Sequence, residues 1–384
     1  MAERFEYVVV GLGALGSATC WELARRGHQV LGLERFPLGH VRGASHDTSR
    51  ILRHSYHTPD YVALTVEAYA DWARLSEQAG EQLVTVTGGL DLFPPDPAIG
   101  MAEYTGSLDA VGIGYQLLDG RTVEDRWPVF RLPPGTVGLF QERAAIVPAA
   151  RGTRAMQDQA RRHGAVLRDG TPVTEVCETP QGIEVRTPGT TYVAARLVVC
   201  ADAWTNEVLA GLGARIPLEV TLEQVTYFAP PDPGPFRRMP LWIWMDDPSF
   251  YGFPCYGEPT VKAAQDCGGQ PAAQDDRSFE ESPELLARLA GHLRQTLPGS
   301  GDPVRSVRCL YTLTPDRDFV LGALPGHEDV LVGLGAAHGF KFSPTFGRLL
   351  ADLATTGDAG FDVTPFRLDR AGLTHPAYVP HWLV

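Results

Sequence analysis

No apolar run in this 384-residue chain approaches the length needed to cross a bilayer. Basic residues are in the minority: 33 lysines and arginines against 46 acids leave a formal charge of −13. That balance argues against nucleic acid or an anionic membrane surface as a partner. Cysteine is sparse. The six present (Cys20, Cys177, Cys200, Cys255, Cys267 and Cys309) show neither close pairing nor metal-ligand spacing. Several lie in apolar runs, which points to reduced, buried thiols in a cytoplasmic protein, with no metal centre. The N-terminal residues lack the basic start, apolar core and small-residue cleavage site of a signal peptide. There is no internal repeat and no low-complexity segment. What is left is an ordinary globular composition, with chain enough for one large domain or two intertwined ones.

The most informative stretch is the first. Tyr7–Val10 is an apolar run of the kind that forms a buried parallel strand. Gly11-Leu12-Gly13-Ala14-Leu15-Gly16 follows, and Ser17 to Arg26 reads as a helix closed by Gly27. His28–Leu33 is a second strand, ending at Glu34-Arg35. Glycines between strand and helix let a pyrophosphate approach the backbone, and the helix start offers it unpaired N–H groups. An acid about twenty residues on suits a ribose diol. This order predicts a dinucleotide-binding βαβ unit.

Further along, Phe36 to Arg53 reads as a loop running into a short helix, with Arg50 and Arg53 on one solvated face. Tyr61–Ala79 is an amphipathic helix. From Glu81 the texture changes to short strands with glycine breaks: Leu83–Thr87, Leu90–Phe93 and Thr136–Gln141. Ala149–His163 is a helix and Ala165–Leu167 the strand after it. Gly182–Arg186, Tyr192–Ala195 and Leu197–Ala201 read as three strands. Leu218–Tyr227 and Leu241–Tyr256 are sheet, Gly268–Phe279 a loop, and Pro283–Leu297 a helix. Val304–Thr312 and Val330–Leu334 are strands, and Ser343–Ala354 is the closing helix.

Four later motifs carry a resemblance. They are Ser45-His46 through Arg50-Ile51-Leu52-Arg53-His54; Tyr251-Gly252-Phe253-Pro254 with Lys262; Arg308-Cys309-Leu310-Tyr311 leading to Asp316 and Phe319; and His338-Gly339-Phe340-Lys341-Phe342. With the glycine loop, they make the chain resemble flavin-dependent amine oxidases of the monomeric sarcosine oxidase and N-methyltryptophan oxidase type, nearly end to end. The resemblance implies an α/β fold. In it, a Rossmann-like FAD-binding domain (1–80, 145–215 and 315–384) interleaves with an α+β substrate domain on a mainly antiparallel sheet (81–144 and 216–314).

It also implies roles. FAD lies on Gly11, Gly13, Ala14, Leu15, Gly16, Glu34 and Arg35 and on Gly339, Phe340 and Lys341, with a thioether from Cys309. Arg53 and Lys341 clamp a substrate carboxylate, and Tyr251 and Tyr311 line the pocket. His46, Arg50 and His338 sit near the flavin ring, and Lys262 activates oxygen. The partners are then a small amino-acid substrate and oxygen, acting on a monomer. Three departures bear on this. Asp266 stands where such enzymes have a histidine, Ala337 replaces a glycine near the substrate, and Asp202 replaces a glycine before Ala-Trp. The expected reaction is oxidation of a secondary α-amino acid to an imine, with hydrogen peroxide as the reduced product. A dehydrogenase passing electrons to a protein or quinone, a nicotinamide enzyme and a non-catalytic flavoprotein remain as alternatives.

Overall fold

The opening strand is longer than its apolar run. It spans Glu3–Val10, and only its last four residues, Tyr7–Val10, are buried. A computed structural model describes residues 3–380. Glu3–Val10 lies at the centre of an eight-stranded sheet, parallel to Val30–Leu33 on one side and to Thr191–Val199 on the other. Val166–Arg168 extends the sheet beyond Val30–Leu33, and His327–Leu334 beyond Thr191–Val199, both in parallel. All four residues of Val30–Leu33 are buried, as in a strand covered on both faces. Helices Ala14–Arg25, Ala149–Arg162 and Ser343–Thr356 pack together against this sheet. Gly347 permits the close crossing of two of them: a Cβ there would stand 2.4 Å from that of Ala18.

Thr191–Val199 is one strand, not the two read from sequence. Its first half pairs antiparallel with Gly182–Arg186, and its second half pairs parallel with His327–Leu334. The polar interruption at Arg196 marks the change of partner rather than a break.

A second sheet has nine strands and is antiparallel apart from one parallel pair, Leu241–Trp244 with Gly89–Phe93. Its long members are Glu219–Ala229 and Asp302–Leu313, side by side. Phe250–Phe253 and Val261–Gln265 complete the part that faces the first sheet. Gln270–Pro271 adds a two-residue strand within the segment read as loop.

A third, three-stranded sheet joins Arg50–Leu52, Ala145–Val147 and Thr85–Val86. The short helix expected at the end of the 36–53 loop is therefore absent: bends lead into the strand Arg50–Leu52. A three-residue spacing fits a helical turn, but the Ile51-Leu52 core is instead fixed by pairing with Ile146 and Ala145. All six cysteines are free thiols. Among the described residues, no helix is long and apolar enough to cross a membrane, and no cluster of acids, histidines or cysteines could hold a metal.

Candidate active site

Two chambers meet between the sheets. The outer one, about 900 Å³, is lined by Gly11, Gly13, Glu34, Arg35, Phe36, His46 and Trp204 among others. The inner one is lined by Cys309, Lys262, Tyr251, Tyr311, Arg53 and Lys341. Gly13, Ser45, His46, Cys200 and Asp202 line both, so the two form one cleft.

The outer chamber has the chemistry of a dinucleotide seat. The strand–helix turn is tight: a Cβ on Gly16 would lie 1.8 Å from the Gly11 carbonyl oxygen. Glu34 braces this turn by accepting the Leu12 N–H at 2.8 Å and the Phe36 N–H at 3.1 Å. Burial opposes its charge, but hydrogen bonds from His40 and these N–H groups hold its carboxyl below the usual range. Arg35 lies at the rim, 3.1 Å from Asp275 and 3.4 Å from Glu207. Ala14 and Leu15 open the helix on the wall of the inner chamber. Asp202 adopts φ +48°, a left-handed conformation that glycine takes up more readily. Burial pushes its carboxyl up to about 6. His46 is buried, and its Nε2 has no hydrogen-bond partner among the described residues, on the wall both chambers share. Burial and then Arg50 lower His46 to about 4, so its ring is neutral. A buried polar atom without a partner beside a cleft fits a ligand that supplies one, and FAD, with a polar ring and a dinucleotide tail, fits both chambers.

The inner wall follows from strand register. Val307, Cys309 and Tyr311 alternate along one strand, so their side chains share a face. Tyr251 sits across the sheet, its hydroxyl 3.4 Å from that of Tyr311. Burial pushes the Cys309 thiol up to about 11, while Arg50 and Lys262 oppose it. Lys262 is flanked on its two neighbouring strands by Tyr227 and Phe253. It is 3% exposed and donates to the Ser49 carbonyl at 3.0 Å. Its only ion-pair partner among the described residues is Asp47, at 2.7 Å. Arg50 donates to the carbonyls of Ser49, Ala44 and His46, and its guanidinium stands 5.7 Å from the Phe340 ring centroid.

Arg53 and Arg50 do not share a solvated face. Arg53 is buried and paired with Asp91 at 2.5 Å; Asp91 is also held by the Ser55 hydroxyl. Burial would lower Arg53, but Asp91 beside it raises it. Lys341 also lines the inner chamber, donating to the Tyr56 hydroxyl at 2.7 Å and the His338 carbonyl at 3.0 Å. It has no carboxylate partner among the described residues. Burial, then Arg53 and Arg317, hold it well below the usual lysine range. His338 is held neutral by burial and has its Nε2 3.0 Å from the Arg317 carbonyl. Gly339–Phe342 forms a 3-10 turn leading into the helix Ser343–Thr356. Asp266 pairs with Arg317 at 2.7 Å, and Ala337 adopts φ +71°.

The structure thus brings the inner-chamber residues named from sequence onto one cleft. Four that sequence reasoning missed bear on it: Asp47, Tyr56 and Arg317 line the inner chamber, and Asp91 pairs with Arg53 behind it. Asp91 carried a signal, an acid between Leu90 and Leu92 in an apolar strand, where a buried charge demands a partner. The others had none, because their partners are distant in sequence.

The chain is similar to known proteins over nearly its whole length. Residues 6–353 match the family described as FAD dependent oxidoreductase. The chain is 32% identical to monomeric sarcosine oxidase of Streptomyces avermitilis, over 95% of this chain and 97% of that one. It is 31% identical to human peroxisomal sarcosine oxidase, over 96% of each. Among solved structures, NikD, an unusual amino acid oxidase essential for nikkomycin biosynthesis, superposes with a TM-score of 0.86. That match is 29% identical and covers 95% of this chain and 98% of NikD.

Proposed function

The chain belongs to the FAD dependent oxidoreductase family, and on that premise we propose that it is an oxidase of secondary, N-methyl or cyclic, α-amino acids such as sarcosine. The products are an imine, which water hydrolyses to amine and aldehyde, and hydrogen peroxide. Sarcosine oxidases related over their full length support the substrate class. One observation carries the reading: Lys341, a buried lysine without a carboxylate partner among the described residues, lines the same chamber as Cys309 and Lys262.

FAD, when bound, supplies the two-electron acceptor that takes a hydride equivalent from the substrate carbon and returns the electrons to oxygen. The chain does the rest. Glu34 accepts hydrogen bonds from a ribose, and the start of helix Ala14–Arg25 receives the pyrophosphate. Cys309 forms the thioether. Gly339 and Phe340 lead into the closing helix, whose N-terminal dipole would favour negative charge on a flavin held in the cleft. Lys341 takes the substrate carboxylate with help from Arg53, whose charge Asp91 already offsets. Tyr251 and Tyr311 wall the chamber. The cations around it disfavour an ammonium and help the substrate nitrogen reach its neutral form. Lys262 stabilises the anion formed when oxygen takes its first electron. We read the enzyme as cytoplasmic and monomeric.

A dehydrogenase reading has one observation in its favour: the charge of Lys262 is offset by Asp47. A peroxide-coupled screen of the purified yellow protein over sarcosine, other N-methyl amino acids, proline and pipecolate separates the two. Stoichiometric peroxide supports the oxidase. Substrate bleaching that reverses only with an artificial acceptor overturns it.

A further inference from the structure

Asp47 has φ +76°, a conformation that non-glycine residues rarely adopt, and its carboxylate is buried against Lys262. It is not loosely placed there. The Tyr227 hydroxyl donates to its Oδ1 at 2.5 Å, and that same hydroxyl lies 2.8 Å from the Thr48 hydroxyl. Tyr227 is the ladder neighbour of Lys262, so the sheet register delivers both partners of Asp47 from adjacent strands. We propose that Asp47 is a positioning residue that holds Lys262 in its charged form, and so sets the pH range over which oxygen is reduced. The proposal rests on the oxygen role of Lys262 proposed above.

The groups facing Lys262 decide the direction of the effect. Its other hydrogen bonds go to the carbonyl and hydroxyl of Ser49, which carry no charge. The rings of Phe253 and Tyr227 stand 5.0 and 5.9 Å away. Arg50 repels it, His46 is neutral and Cys309 is a thiol. Asp47 is thus the only carboxylate paired with it among the described residues. Burial and Arg50 bring Lys262 down to about 8 even with Asp47 in place. Asp47 is pulled the other way: burial pushes its carboxyl up, but Lys262 and Arg50 bring it to about 2. A buried ammonium stripped of its carboxylate sheds its proton rather than stay charged. Asp47 therefore has two opposed effects. It weakens the field of Lys262 at the oxygen site, and it keeps that field in existence. Weakening scales the field, whereas losing the proton removes it, so the second effect dominates at neutral pH.

The test is stopped-flow reoxidation of anaerobically reduced holoprotein between pH 6 and 10, with melting temperatures of the same samples. The parent rate constant is expected to hold up to about pH 8 and then fall. Asp47→Asn, an amide that tolerates positive φ, should slow reoxidation at least about tenfold at pH 7.5 and recover toward pH 6. Asp47→Glu should keep the parent profile. Melting supplies a readout that does not depend on turnover. Asp47→Asn should lower the melting temperature of the parent, but leave or raise that of Lys262→Met, where no ammonium needs it. Reoxidation by Asp47→Asn as fast as the parent or faster at pH 7.5 would overturn the proposal, and so would equal melting shifts in both backgrounds. If Lys262→Met itself reoxidises at the parent rate, the oxygen role of Lys262 fails; the melting cycle still decides whether Asp47 holds the charge.

Discussion

Asp266 lies 2.7 Å from the Arg317 guanidinium, and both side chains line the inner chamber. Asp266, expected from sequence to stand in place of a histidine, is therefore committed to an arginine of the same chain. The pairing also sets a charge ledger. Arg53 is offset by Asp91, Arg317 by Asp266 and Lys262 by Asp47, which leaves Arg50, bonded to backbone carbonyls, and Lys341 without a carboxylate partner among the described residues. Asp266→Asn would remove this carboxylate from beside Arg317. Relative to sarcosine, kcat/KM for N-methylaspartate, with its second carboxylate, should then rise at least about tenfold, near 1.4 kcal/mol. Steady-state rates on the two substrates check this. An unchanged ratio would mean that Arg317 does not reach the substrate.

Cys309 should hold the flavin covalently. It is buried on the chamber wall, on the strand face it shares with Val307 and Tyr311. Acid precipitation of holoprotein should leave yellow colour in the pellet. Cys309→Ser should release all flavin to the supernatant and lose most activity. Flavin released from the parent would contradict the linkage.

Acid should destabilise the fold through buried histidines. Burial, aided by Arg50 at His46 and by Arg143 at His54, lowers these two to about 4; burial alone does the same to His292. Each binds a proton more readily unfolded, with an unfolded value near 6.5, so stability is full above pH 6.5 and is lost as pH falls toward 4. All three titrating together give a slope of up to about 4 kcal/mol per pH unit. Melting temperature against pH should show this fall, and His292→Phe should flatten it.

Much of this was legible in the sequence where the signal is local. The strand, glycine loop, helix and acid of residues 7–34 read directly, because each rests on its immediate neighbours. Residues 43–54 did not. Arg50-Ile51-Leu52-Arg53 has a spacing that a helix turn or a short strand satisfies equally, and pairing to Ala145–Val147 decided it. The Asp47–Lys262 and Arg53–Asp91 pairs join loop residues that flank the strand Arg50–Leu52 to strands far along the chain, so no sequence window contains them. Lys262 and Asp91 show what could be read: a charge inside an apolar strand announces a partner without naming it.

Ala337 offers a test of pocket size. It lines the inner chamber at φ +71°, with Ala336 at +41° before it. Ala337→Gly removes a methyl group and relieves the backbone, while it loosens the unfolded chain. These effects oppose one another, so stability should shift by less than about 1 kcal/mol. The variant should gain on bulky N-alkyl and cyclic substrates relative to sarcosine. Kinetics over a graded series check this, and equal changes across the series would remove Ala337 from the substrate wall.

The account turns on Lys341 as the receptor for a substrate carboxylate. Burial, Arg53 and Arg317 hold it well below the usual lysine range, and a carboxylate bound beside it would favour its charged form. Lys341→Met should weaken substrate binding by roughly 2–5 kcal/mol. The most direct measurement is anaerobic bleaching of the flavin by N-methyl and cyclic α-amino acids, each beside its methyl ester. The free acids should bleach it and the esters should fail at matched concentration, with the difference lost in Lys341→Met. Esters that reduce the flavin as well as the acids do would contradict the account.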